Sequence, residues 1–180
     1  MEYVNGNYNY FASISCENDL VAKKVTLENA PAKEFAECDI KKLEELVKSS
    51  GFYHNKAKNI KNACKLIVEK FNGEVPEDYD DLLSLAGVGR KTANLLLGDL
   101  YNVPGSTVCD THCIRICGRL GLSEGKDPEK VERQLRLIRP PEESNDFCHR
   151  IVLFGREVCI ARAPKCNECP LRPWCKEFQP

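Results

Sequence analysis

Apolar residues recur with helical spacing in nearly every segment that carries them. Ile40, Leu43, Leu46 and Val47 form one stripe. Ile60, Ala63, Cys64, Ile67, Val68 and Phe71 form a second, stepping by threes and ones, the period of one buried helix face. Leu82, Leu83 and Leu85 predict a short helix before Gly87, and Ala93, Leu96, Leu97 and Leu100 a longer one after Gly89. Ile114, Cys117 and Leu120 predict a helix stopped by Gly121. Val131, Leu135 and Ile138 predict another, which Pro140-Pro141 must end. Phe147, Ile151, Val152, Phe154 and Val158 lead into a cysteine-rich tail. No stretch sustains the period-2 alternation of a half-buried strand, so the expected fold is all-α.

The 180 residues, 42% apolar and 29% charged, suit one globular domain or two small lobes sharing a cleft. There is no internal repeat or low-complexity tract, and no apolar run approaches the ~18 residues of a membrane span. Met1 to Ser15 lacks the basic and apolar regions of a secretory signal, so a cytoplasmic location is expected. Lys and Arg total 26 against 27 Asp and Glu, net −1, which excludes a polybasic arm or long acidic tail as the main device. An anionic partner must be met by local clusters. Lys56, Lys58, Lys61 and Lys65 form one, although a solvated helix face explains it as well. The acidic stretch Glu74 to Asp81 reads as a connector and helix start, where carboxylates suit the dipole. A softer boundary lies at Asn102-Val-Pro-Gly105, with net −3 over residues 1–103 and +2 over 104–180.

Three features carry candidate chemistry. The run Leu85-Ala-Gly-Val-Gly-Arg-Lys-Thr-Ala-Asn94 joins two helical patterns. Its two glycines are expected to turn the chain sharply at positive φ, and the helix start that follows offers free N–H groups to a phosphate. A plain helix–helix turn would look similar, but Arg90, Lys91, Thr92 and Asn94 add polar groups. A lysine beside Arg90 at a helix N-terminus is favoured as the free amine, the nucleophilic form. Asp110, just before the helix of Ile114 and Cys117, is a natural N-cap. Finally, four of the eleven cysteines, Cys159, Cys166, Cys169 and Cys175, crowd the last 22 residues. An odd count without a secretory signal argues against a disulfide framework. Their spacing suits either a tetrahedral zinc or a cubane iron–sulfur cluster. Cys109, Cys113 and Cys117 step by four along one helix face, which is read as core packing ahead of a second metal site.

The hairpin run, then Val108-Cys-Asp-Thr-His112, Phe154-Gly-Arg-Glu-Val-Cys159 and the cysteine tail, resembles the endonuclease III family. These are two-lobed helix-hairpin-helix DNA glycosylases and abasic-site lyases with an iron–sulfur cluster. Gly51-Phe-Tyr-His-Asn-Lys-Ala-Lys-Asn-Ile60 is similar to the archaeal branch of that family, and the resemblance runs from about Asp19 to Cys175. It implies a bifunctional base-excision enzyme in which Lys91 is the nucleophile and Asp110 the second catalytic residue. It also implies a 4Fe–4S cluster on the four tail cysteines, and DNA contacts from Gly87, Gly89, Arg90, His112, Arg162 and Lys165. His112 suits a damaged-base pocket or the orientation of the helix start. The implied partner is double-stranded DNA with damaged bases or abasic sites, handled by a monomer near the nucleoid. Oxidised pyrimidines are the family's expected lesions, but the residues quoted do not name one.

The implied lobes are residues 16–103, with the hairpin at about 78–100, and residues 1–15 with 104–180, with Lys91 and Asp110 in the cleft. The family pattern fails at the start. Met1 to Cys16 is Asn-rich and lacks the expected apolar helix. The polar residue that fills the gap left by a flipped base would fall near Cys16, which cannot hydrogen-bond as an amide does. Two alternatives follow: a monofunctional mismatch or adenine glycosylase using water, which Lys91 opposes, and a non-catalytic DNA-binding cluster protein.

Overall fold

The computed structural model describes residues 32–178; the unusual start, including Cys16, lies outside them. Among the described residues the ordered elements are all helical: α1 (Ala32–Glu37), α2 (Ile40–Val47), α3 (Tyr53–Lys70), α4 (Tyr79–Ser84), α5 (Arg90–Asp99), α6 (Thr111–Leu120), α7 (Pro128–Ile138) and α8 (Ser144–Glu157). Short 3-10 turns follow at 166–168, 172–174 and 176–178. Every helix expected from periodicity is present. The six-residue α1 was not expected, because Phe35 and Ala36 are its only buried positions and show no period.

Aspartates set many of the starts. Asp39 caps α2, Asp78 caps α4 and Asp127 caps α7, each accepting a backbone N–H of the first turn. Pro128 occupies the first turn of α7, where its missing N–H costs nothing. Gly121, at φ 76°, ends α6 as expected.

The described residues form two compact units, divided between Arg90 and Lys91. In the first, Phe35, Leu43, Val47, Ala57 and Cys64 make a core. Burial pushes the Cys64 thiol up to about 12, so it packs as a neutral apolar group. In the second, Cys109, Cys113, Ile116, Cys117, Val131, Leu135 and Ile151 pack together. Hydrogen bonding with Cys109 leads the causes that raise the Cys113 thiol. These thiols are core, as expected. Lys91 and the rest of α5 group with the second unit because α5 bonds forward: Asn94 to Thr107 and Arg136, Asp99 to Asn145 and His149.

Candidate active site and cysteine loop

The segment from α4 to α5 is a tight turn. Val88 N–H donates to the Leu85 carbonyl at 3.1 Å, and Leu85 and Val88 are buried. The two glycines differ. Gly87 sits at φ 80°, and a Cβ there would stand 2.8 Å from Asn59 Nδ2, so both backbone and packing require glycine. Gly89 has no positive φ, which corrects the expectation of two left-handed residues. The turn has already reversed at Gly87, so Gly89 enters the helix with ordinary geometry. A Cβ on Gly89 would meet no protein atom within 4 Å, which leaves its backbone open from outside.

The first turn of α5 is two-faced. Arg90 and Lys91 are exposed, whereas Thr92, Ala93 and Asn94 are buried. The Arg90 guanidinium lies 5.8 Å from the centre of the Tyr79 ring. Lys91 has no ion pair or hydrogen bond among the described residues.

Asp110 is the N-cap of α6, its Oδ1 accepting the Cys113 N–H at 2.7 Å. That bond fixes the plane of the half-buried carboxylate and leaves Oδ2 uncommitted among the described residues. Lys91 and Asp110 belong to the same compact unit. His112 is half-buried, its Nδ1 3.2 Å from Arg115 Nη2. It abuts Gly155, where a Cβ would stand only 2.5 Å from that nitrogen. Gly87, Arg162 and Lys165 are exposed. Of the lysine cluster, Lys56 and Lys61 bond back to the carbonyls of Ser50 and Cys38, while Lys58 and Lys65 are exposed.

Cys159, Cys166, Cys169 and Cys175 all line one cavity of about 280 Å³, shared with Ile116, Leu120, Phe154 and Val158. All four are unpaired thiols. Among the described residues no three His, Cys, Asp or Glu side chains converge on a position for one metal ion. Four soft thiol donors lining one cavity fit a thiolate-bound metal group, the kind of ligand set that zinc sites and iron–sulfur clusters use.

Two arginines on α6, one turn apart, grip this loop and were not singled out from sequence. Arg115 Nη2 donates to the Cys159 carbonyl at 2.9 Å. Arg119 Nη1 donates to Cys159 Sγ and to the Ile160 carbonyl, both at 3.3 Å, and its Nε pairs with Glu177 at 2.8 Å. In sequence they look like ordinary polar-face residues. Phe52 was also missed. It is 87% exposed and left-handed at φ 47°, a strained backbone for a bulky residue.

Residues 11–140 match the family model of the HhH-GPD superfamily base excision DNA repair proteins. Endonuclease III of Synechocystis sp. (strain ATCC 27184 / PCC 6803 / Kazusa) is 45% identical over 141 residues, 78% of this chain and 64% of that protein. Endonuclease III of Escherichia coli (strain K12) is 40% identical over 159 residues, 88% of this chain and 74% of that protein. The chain therefore spans a little under two thirds of the first relative's length and about three quarters of the second's. A solved trapped endonuclease III–DNA covalent intermediate superposes with a TM-score of 0.89 at 35% identity, covering 97% of this chain and 86% of that one. With its glycine turn, capping aspartate and cysteine loop, the chain belongs to the endonuclease III family within the HhH-GPD superfamily of base excision DNA repair proteins.

Proposed function

We propose that this chain is a bifunctional DNA glycosylase and abasic-site lyase of base excision repair, acting on double-stranded DNA. One observation carries the reading. Lys91 presents an exposed amine that nothing among the described residues pairs or occupies, one residue into a helix that follows a glycine turn. A solved relative trapped covalently on DNA aligns over nearly the whole chain.

The target nucleotide must leave the stack, at a cost of a few kcal/mol that is least at weakened pairs. The exposed Phe52 ring offers an apolar surface for stacking against the disturbed bases. The Lys91 amine bonds to C1′ of the sugar through its lone pair and gives up a proton. The glycosidic bond breaks, and the base leaves with its electron pair and takes up a proton. The sugar ring then opens to an iminium on Lys91. That cation acidifies C2′–H; the proton is lost and the C3′–O bond breaks, releasing the phosphate. Water hydrolyses the imine and returns the lysine. Asp110, aimed by its bond to Cys113 N–H, stabilises the cationic sugar and moves protons at the reacting centre.

The Gly87–Gly89 turn, Arg90, His112, Arg162 and Lys165 are the proposed DNA contacts. Phosphate contacts make affinity fall with salt. Cys159, Cys166, Cys169 and Cys175 would hold a 4Fe–4S cluster, which would organise the loop carrying Arg162 and Lys165 and would take no part in bond cleavage. The functional lobes in this reading are residues 16–103 and residues 1–15 with 104–180. Oxidised pyrimidines are the proposed lesions and a cytoplasmic, nucleoid-associated monomer the proposed state; no described helix is long and apolar enough to cross a membrane.

Borohydride trapping on thymine glycol, uracil, mismatch and abasic duplexes tests the reading. Wild-type protein is expected to form a covalent adduct and Lys91→Gln none. Base release without trapping points to a monofunctional glycosylase, and binding without nicking to a non-catalytic DNA-binding protein.

A further inference from the structure

The two proposed reacting residues sit on different elements of the second unit, and neither touches a group that fixes its distance from the other. Lys91 is on α5, and Asp110 ends the connection from α5 to α6. Three residues after Lys91, within one turn of α5, Asn94 is 1% exposed. Three residues before Asp110, Thr107 is fully buried. Asn94 Oδ1 accepts the Thr107 N–H at 3.4 Å and Arg136 Nη2 at 3.1 Å. Arg136 Nη2 also stands 2.9 Å from Oε1 of buried Glu132. Arg139 Nη2 donates to Thr107 Oγ1 at 2.8 Å, and its Nε reaches Ser144 Oγ at 3.3 Å. Arg139 also stacks over Phe147 at 4.6 Å.

We propose that Asn94, held by Arg136 and Glu132, is a positioning residue that ties the helix carrying Lys91 to the segment carrying Asp110 and so sets the register between nucleophile and carboxylate. The inference rests on the lyase reading above. A core at this point could have been apolar; burying an amide, a carboxylate and part of a guanidinium is worthwhile only where their directional bonds specify geometry, since such groups add little net stability. Reacting groups displaced by about 1 Å lose on the order of 100-fold in rate. Asn94→Ala cuts the side-chain link between the two elements at Thr107, leaves the Thr107 N–H without its acceptor, and changes neither reacting residue.

The test is single-turnover kinetics on abasic and damaged duplexes, with borohydride trapping at saturation to count competent molecules. For Asn94→Ala the expected result is wild-type DNA affinity, a wild-type trappable fraction, and a rate per trapped molecule lowered about 10- to 100-fold. Asn94→Asp keeps the acceptor for Thr107 and Arg136 and should restore the rate to within a few-fold of wild type. A reduced trappable fraction with an unchanged rate per trapped molecule would mean Asn94 only stabilises the fold, and would overturn the proposal. If Asn94→Ala does not fold, Arg136→Lys decides. It keeps a cation near Glu132 but is shorter than the guanidinium whose Nη2 contacts both Glu132 and Asn94, so its rate per trapped molecule should fall several-fold; a wild-type rate would overturn the proposal. Failure of the wild-type protein itself to trap would instead sink the lyase reading on which this one depends.

Discussion

Adding one methyl group at Gly155 and at Gly118 should move stability in opposite directions. Both glycines lie two residues before the last residue of a helix, α8 and α6 respectively. Neither has a positive φ. Glycine to alanine in a helix gains about 1 kcal/mol from backbone entropy in either place. Their surroundings differ. Around Gly118 a Cβ meets nothing within 4 Å, so Gly118→Ala should keep most of the gain, about 0.5–1 kcal/mol. At Gly155 the new carbon would stand 2.5 Å from His112 Nδ1, 2.8 Å from Ile116 Cδ1 and 3.1 Å from Arg115 Nη2. The isoleucine methyl can rotate aside. The imidazole is more constrained, because its Nδ1 faces Arg115, which is itself bonded to the Cys159 carbonyl. Overpacking of this kind costs about 1–3 kcal/mol. After the helix gain, Gly155→Ala should lose about 1 kcal/mol. For a chain of this size the Tm should fall about 2–4 °C for Gly155→Ala and rise about 1–4 °C for Gly118→Ala. Thermal unfolding of the two variants beside wild type, at equal iron content, reads both. A rise of similar size in both would show that the α6–α8 contact yields freely, and would refute the tight packing inferred at His112.

Three further outcomes follow from the site. Asp110→Asn should keep the cap, since asparagine caps as well as aspartate; stability should hold within about 0.5 kcal/mol while base release falls about 100- to 1,000-fold, and an unfolded or fully active variant would contradict the assignment. Purified protein should be brown with iron and acid-labile sulfide, and Cys166→Ser should lose both; colourless protein with stoichiometric zinc would refute the cluster. His149 is held above the ordinary imidazole range chiefly by its 2.7 Å bond to Asp99. The pair's stabilisation is full below the unfolded pKa of about 6.5 and fades as pH rises through the higher folded value. Stability measured against pH should lose that component in His149→Ala, and an identical profile in both proteins would remove the pair from the account.

What the chain by itself determined is whatever depends on neighbours a few residues away. The 3.6-residue period placed the long helices because each buries one face. Asp110 could be read as a cap because an N-cap needs only its own first turn, and Gly121 as a stop because only its own φ matters. The tail cysteines were legible as a group because their loop closes within a short span. Tertiary structure decided the rest. Arg115 and Arg119 look like solvated charges until the Cys159 loop comes within 3.3 Å of them. Asn94 and Arg136, 42 residues apart, show no pattern that pairs them. Gly87 and Gly89 are equivalent in sequence and differ only once Asn59 is packed against one of them. Gly155 is required because of an imidazole on another helix. Long polar side chains and missing side chains take their meaning from distant partners, and local periodicity carries no information about those.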